Sequence, residues 1–442
     1  MRIAALVAGL VAFVIYMANG REIASYDSQP AKYLAIEIAT RHSLSLSHVV
    51  GRIPALGDRP AFVRDRDGNY RSAYPLPSAL AAGGVAWLLL KLHVLDPQAP
   101  LAAPLVAKLT ASALTALSVA LALLTAARRL NGWQAGWIAL ALGVGTNLWA
   151  SVSQTLWQQE TALCALMGAV LVLARREARG VDLVTAGALL GLAGWARPQL
   201  APIVAVLALS MIVRWGPRGV VGAIPIACVA LVAIAINEAW FGTALGGMTS
   251  LEALHPLVHR TPGTLSRTPW VSAAGLLVSP SRGLLVFSPV VAFAAVGIAA
   301  ARREGWRSDL AWCVAAAAAE FVAYSFYQVW WGGHTYGPRY MLDVLPLVVP
   351  LAAAGFPAIA ARRGVAALAA ASLVWSIGAA ACGAFVYPAE HWNTDPESVD
   401  QHHERLWDWR DTQIARAAHA GWNPSNFALF SRAAFRPDAR TP

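Results

Sequence analysis

Long apolar segments alternate with short polar loops from the first residues to about Val386, and four Arg-Arg pairs punctuate the pattern. The pairs are Arg128-Arg129, Arg175-Arg176, Arg302-Arg303 and Arg362-Arg363, each at the end of an apolar run. Short cytoplasmic loops of membrane proteins carry excess Lys and Arg, so the pairs are expected to share one side of a membrane. A first span over Ile3 to Met17 then runs outward from Arg2, and residues 20–100 form a first outer loop. The apolar stretch Pro75 to Leu95 is long enough to cross, but crossing would invert every later Arg pair. It is therefore expected to lie along the outer surface or to be re-entrant. Further spans follow over Leu101–Ala127, Trp133–Ala150, Trp157–Ala174, Leu183–Trp195, Ala201–Val213 and Val220–Ile236. A second outer loop covers 237–283, and the last spans are Leu284–Ala301, Leu310–Val329, Met341–Ala361 and Val365–Val386. The fold class is an all-α polytopic membrane protein of about eleven spans. Residues 1–386 are read as one transmembrane domain, and 387–442 as a polar outer tail rich in Trp and His.

Composition narrows this further. Hydrophobic residues make up 57% of the chain and charged residues only 13%, against a usual charged share of about a quarter. The net charge of +10 lies mostly in short loops between spans, so it marks orientation and not a nucleic-acid face. Cys164, Cys228, Cys313 and Cys382 all fall in apolar segments without metal-ligand spacing. No zinc site or disulfide framework is implied. An apolar start followed by Ala18-Asn19-Gly20 is a poor signal-peptide cleavage site, and the first span is expected to stay attached.

Polar side chains collect at the outer ends of the spans. Asp27, in Tyr26-Asp27-Ser28-Gln29-Pro30-Ala31-Lys32-Tyr33, could draw a proton from a hydroxyl. It could equally cap the helix that Pro30 begins. Lys108 sits inside a span about two turns from its outer end, where a cation needs a partner, a polar cavity or a route to the interface. Arg282 closes the second outer loop in Ser279-Pro280-Ser281-Arg282-Gly283. Trp331-Gly332-Gly333-His334-Thr335-Tyr336-Gly337-Pro338-Arg339-Tyr340 forms a short outer loop. Its glycines admit close backbone approach, and its arginine offers a planar fork suited to phosphate. Arg197 is a further cation of this kind, and Gln154, Gln158, Gln159 and Glu160 suit a hydroxyl-rich ligand or a solvated loop. Alone, His334 reads as a hydrogen-bonded loop residue, not as a metal ligand.

These features resemble the GT-C superfamily of membrane glycosyltransferases, bacterial relatives of protein O-mannosyltransferases and lipid A aminoarabinose transferases. The likeness rests on Asp27-Ser-Gln-Pro-Ala-Lys-Tyr-Leu34, Tyr74-Pro-Leu-Pro-Ser78, Ser279-Pro-Ser-Arg-Gly-Leu284 and the Trp331–Tyr340 loop. It implies a bundle with periplasmic surface helices in the first outer loop. It also implies a polyprenyl-phosphate-linked sugar as donor, and a glycan, lipid or protein hydroxyl as acceptor. The site would face the periplasm from a bacterial inner membrane.

On that resemblance Asp27 is the catalytic base, and Lys108, Arg282 and Arg339 converge on the donor phosphate. Lys32, Tyr74, Glu160, Arg197, His334 and Tyr336 complete the substrate-binding set. Many members carry two adjacent acids where this chain has Asp27-Ser28, so a divalent metal is possible but no metal ligands are assigned. A transporter or flippase of a lipid-linked or anionic substrate is the alternative. It predicts charges near the bilayer midplane and paired broken helices.

Overall fold

A computed structural model describes residues 1–435, and the architecture is all-α. The helices are α1 (Arg2–Met17), α2 (Gln29–Arg41), α3 (Ser47–Arg52), α4 (Pro77–Lys91), α5 (Ala102–Ala126) and α6 (Gly132–Val144). Then come α7 (Gln159–Leu173), α8 (Gly180–Ala196), α9 (Ala201–Trp215), α10 (Pro217–Phe241), α11 (Met248–Val258) and α12 (Pro269–Val278). The last are α13 (Leu284–Phe287), α14 (Val296–Glu304), α15 (Asp309–Ser325), α16 (Leu345–Ala360), α17 (Arg363–Phe385) and α18 (Gln413–His419). Two short antiparallel strands, β1 (Phe62–Arg64) and β2 (Tyr70–Ser72), form a hairpin in the first loop.

Five helical stretches are long and apolar enough to cross a membrane: Ala102–Ala126, Pro198–Trp215, Pro217–Phe241, Tyr340–Ala360 and Arg363–Phe385. Five shorter apolar helices accompany them, among them α1, α7 and α8. In their most apolar windows α5 is 67% buried and Tyr340–Ala360 61%, whereas α10 is 11% and α17 17% buried. The first two therefore form the centre of the bundle. The last two present Ile224, Leu231, Leu368 and Val374 outward, as a lipid-facing helix must.

The Arg pairs do gather at one end. Arg129 reaches both Glu304 and Asp309 at 2.7 Å, beside Arg302-Arg303. Arg214 donates to the Leu173 carbonyl at 2.7 Å, just before Arg175. The opposite end holds the polar loops and is called here the site end.

Helix α4 begins at the site end. Its first turn hydrogen-bonds the first turn of α7, Ser78 Oγ to Thr161 Oγ1 at 3.1 Å. The chain then returns to open α5 at the same end, where Leu101 N–H donates to the Ala433 carbonyl. Helix α4 has 15 residues, as α7 does. It packs on α2 and stays with it.

One expectation needs correction. Leu284–Ala301 is not one helix: α13 stops at Phe287, a 3₁₀ stretch runs Pro289–Ala295, and α14 follows. Pro289 has no N–H for a continuing ladder, which breaks the helix there. The tail packs against the bundle. Trp392, Val399 and Leu406 are buried with Trp330 and Trp331, and the described residues to Phe435 cap the site end.

Candidate active site

Asp27 lies just past α1, at the entrance to α2. Its carboxylate does not cap that helix: Ser28 is the N-cap residue and no side chain makes a capping bond. Instead Asp27 Oδ2 is 3.4 Å from Arg339 Nη1, with the carboxylate 40% and the arginine 11% exposed. The Arg339 guanidinium stacks over the Trp157 ring at 4.4 Å, and its buried Nε has no hydrogen-bond partner. This cation is therefore fixed in position by an aromatic face while most of its donors stay unbonded.

The turn carrying Arg339 is joined to the start of α7. Gln159 Nε2 donates to the Arg339 carbonyl at 2.9 Å and to Asp343 Oδ1 at 2.8 Å. Asp343 Oδ2 also accepts from Arg197 Nε at 2.6 Å and from the Tyr324 hydroxyl at 2.5 Å. Asp343 is fully buried and Arg197 nearly so, so each neutralises the other. Between Trp157 and Gln159 the chain turns sharply, with Gln158 in the left-handed region at φ 72°. That conformation costs about 1–3 kcal/mol outside glycine and is held by the bonds on either side.

Aromatic and imidazole groups surround the Arg339–Asp27 pair. Tyr340 stacks on Tyr324 at 4.8 Å and meets Tyr327 edge-on at 5.7 Å. The Tyr327 hydroxyl lies 2.5 Å from His255 Nδ1 on α11. Burial, and then the neighbouring Asp27 carboxylate, push the Tyr74 phenol well above its ordinary range. Burial keeps the His255 imidazole below its ordinary value, with His259 adding to the effect. Tyr74 also lines an apolar cavity of about 460 Å³ walled by the 72–76 segment, α8, α9 and α10.

The other expected cations are engaged elsewhere. Lys108 is fully buried, and its Nζ donates to Gln154 Oε1 at 2.5 Å. Gln154 is itself held by Asn19 and by the Trp149 carbonyl. Arg282 directs its five donors to Trp331 O, Ser281 O, Gln413 Oε1, Gly333 O and Asn393 Oδ1. It has no free N–H for a phosphate, and burial pushes its pKa down to about 10. The expected convergence of Lys108, Arg282 and Arg339 on one anion is therefore corrected to Arg339 alone. The reason is that carbonyls and side-chain amides take all five donors of Arg282, and the buried Lys108 is turned to Gln154.

The remaining expected residues divide similarly. Lys32 is paired with Glu22 at 2.6 Å, and Arg197 with Asp343. Tyr336 is buried, donates to the Ala379 carbonyl at 2.8 Å and packs on Phe287, so it supports the loop. Glu160 is buried, has one oxygen without a partner, and otherwise meets Thr161. His334 Nε2 is 3.0 Å from Asp400 Oδ2, and His259 Nδ1 is 2.8 Å from Asp400 Oδ1. Burial alone would raise the Asp400 carboxyl, but these two imidazoles hold it well below the usual carboxylate range. His334 thus ties its loop to the tail. Trp157, Asp343, His255 and Tyr327 were not singled out from the sequence. Asp343, an acid just inside an apolar run, carried a legible signal, because such a residue needs a partner.

Among the described residues the one group arranged to hold a metal ion is Glu397, His402 and Glu404, on the tail surface. Asp27 has no second acid or imidazole beside it in such a group.

No family model matches the chain, and no curated protein sequence matches it either. A solved structure of ArnT from Cupriavidus metallidurans bound to undecaprenyl phosphate is similar to it. That similarity has a TM-score of 0.47 at 15% identity and covers 86% of this chain and 71% of that one.

Proposed function

We propose that the chain is a membrane glycosyltransferase. It moves a sugar from a polyprenyl-phosphate donor to a hydroxyl of an envelope glycan, lipid or protein, on the periplasmic face of the inner membrane. The observation that carries this reading is Arg339. It is a stacked guanidinium with unengaged donors, beside a half-exposed carboxylate. The apolar cavity that Tyr74 borders is of a kind that would shelter a prenyl chain. The ordered motifs around Asp27, Tyr74 and Arg339 support the same reading.

The chemistry follows from these positions. Arg339 binds the donor phosphate and offsets the charge that grows on it as the bond from the anomeric carbon to phosphate oxygen breaks. An acceptor oxygen attacks from the opposite face, which inverts the anomeric centre, and Asp27 takes its proton. Asp27 supplies one carboxylate and no ligand set, so no step is routed through a metal.

The test is transfer of labelled sugar from synthetic polyprenyl-phosphate pentoses and hexoses to envelope extract, in detergent, with thermal stability as control. General-base catalysis contributes about 10²–10⁴-fold, so Asp27→Asn is expected to lose about that much turnover at unchanged stability. Arg339→Ala is expected to be at least as damaging. Normal turnover in a stable Asp27→Asn protein would remove Asp27 as the base. Movement of an intact donor between leaflets without release of prenyl phosphate would instead establish the transporter alternative.

A further inference from the structure

The C-terminal segment carries large aromatic side chains that the fold leaves uncovered. Trp422 is 66%, Phe427 47% and Phe430 58% exposed. They form one group: Trp422 and Phe427 have ring centroids 6.3 Å apart, as do Phe427 and Phe430. The backbone beneath them is fastened to the ends of two helices. Phe427 N–H donates to the Asn19 carbonyl at 2.9 Å, and Leu429 N–H to the Gly20 carbonyl at 2.7 Å. Asn426 Nδ2 reaches the Phe385 carbonyl at 2.9 Å, and Trp422 packs on the Phe385 ring at 5.4 Å.

Those two helices, α1 and α17, end side by side at the site end, where Asn19 Nδ2 meets the Ala384 carbonyl. Both present apolar faces outward along their length: Leu6, Leu10 and Val14 on α1, and Leu368, Val374 and Trp375 on α17. The aromatic group continues these faces just past the last helical turn. Phe427 is held there in the left-handed region at φ 70°, a conformation that costs a bulky residue about 1–3 kcal/mol. Aromatic side chains concentrate at the level where spans leave the hydrocarbon, since their rings suit the headgroup boundary. Exposed His419 and Arg432 nearby add polar and cationic partners for headgroups.

We propose that Trp422, Phe427 and Phe430 form a foot that seats the C-terminal segment in the interfacial zone of the bilayer. The partner is lipid. The same segment carries Gln413, which accepts from Arg282 and from Gly337 N–H and donates to the Thr335 carbonyl. The foot therefore sets the height, relative to the lipid surface, of the loop that bears Arg339. This inference does not depend on which reaction the site performs.

The experiment places an environment-sensitive nitrobenzoxadiazole label on Phe427→Cys, with Glu397→Cys, exposed elsewhere on the tail, as the reference. Both are made in full-length protein whose four cysteines are replaced by Ala, and reconstituted in nanodiscs of phosphatidylethanolamine and phosphatidylglycerol. The label at 427 is expected to emit to the blue of the label at 397. It should be quenched by lipids brominated near the carbonyl end of their chains, and be several-fold less accessible to iodide. A Trp422→Cys label serves as a second site if Phe427→Cys does not fold. Equal emission and equal iodide quenching at 427 and 397 would overturn the proposal. Protection from iodide without quenching by brominated lipid would overturn it too, since protein and not lipid would then cover the foot.

Discussion

An arginine's role here depends on which of its five donors are already bonded. Arg282 and Arg339 sit in similar glycine-bearing loops, yet one is saturated by five acceptors and the other rests on Trp157 with donors to spare. Gln159 bonds the Arg339 carbonyl and the buried Asp343 together, so it should control where the guanidinium points. Losing its bond to that carbonyl removes roughly 1 kcal/mol or a little more. Gln159→Ala is accordingly expected to slow sugar transfer by about tenfold. In an Arg339→Ala background the same change should add almost nothing, because the effect passes through Arg339. The four rates form a double-mutant cycle. Full additivity would show that Gln159 acts on the fold alone. Asp27 and Arg339 were both legible as candidates from their neighbours in sequence, but their pairing spans 312 positions. No local pattern reports a contact at that distance.

At the scale of elements, small residues set how closely the helices approach. A Cβ on Gly187 of α8 would stand 1.9 Å from the Gly222 carbonyl oxygen of α10, and one on Gly222 would meet Met211 Sδ at 2.7 Å. Close crossings of this kind let transmembrane helices pack where no hydrophobic driving force separates lipid from protein. Gly187→Ala should therefore push α8 and α10 apart and cost about 1–3 kcal/mol, as overpacked cores do. Gly364, in the first turn of α17, has no atom within 4 Å of its would-be Cβ. Gly364→Ala should be neutral or stabilise by about 0.5–1 kcal/mol. Thermal unfolding of both variants in one detergent gives the comparison, and equal melting temperatures would contradict it. The periodic apolar runs marked these helices well. The break at Pro289 was less legible, since hydropathy averages over a window and does not register a local stop.

For the whole molecule the outstanding question is sidedness. The Arg pairs collect at one end and the Asp27–Arg339 site at the other, so a single orientation decides both. The site end should face the periplasm. Single cysteines at Asp67 and Ser425, both exposed and both at that end, are expected to react with a membrane-impermeant maleimide in intact spheroplasts. Labelling of either one only after permeabilisation would reverse the orientation or break the common end. The tail belongs to this scale as well. Asp400 joins His259 of the second loop to His334 of the Arg339 loop, so one tail carboxylate ties together two loops over the site.

The sequence by itself determined the all-α membrane class, the common side of the Arg pairs and the short list of polar residues at the opposite end. Those properties are local or additive: apolar length, loop charge, and residue type next to a span. Only the tertiary structure decided which of those cations keeps unengaged donors. Lys108 faces Gln154 and Arg282 faces carbonyls from the 331–333 loop and amides from the tail. A buried charge takes whatever acceptors the fold brings to it, because leaving it unpaired in a low-dielectric interior costs several kcal/mol. Those acceptors come from segments tens to hundreds of residues away. Charge type and spacing therefore proposed three phosphate ligands; packing saturated Arg282 and left Arg339 with unengaged donors.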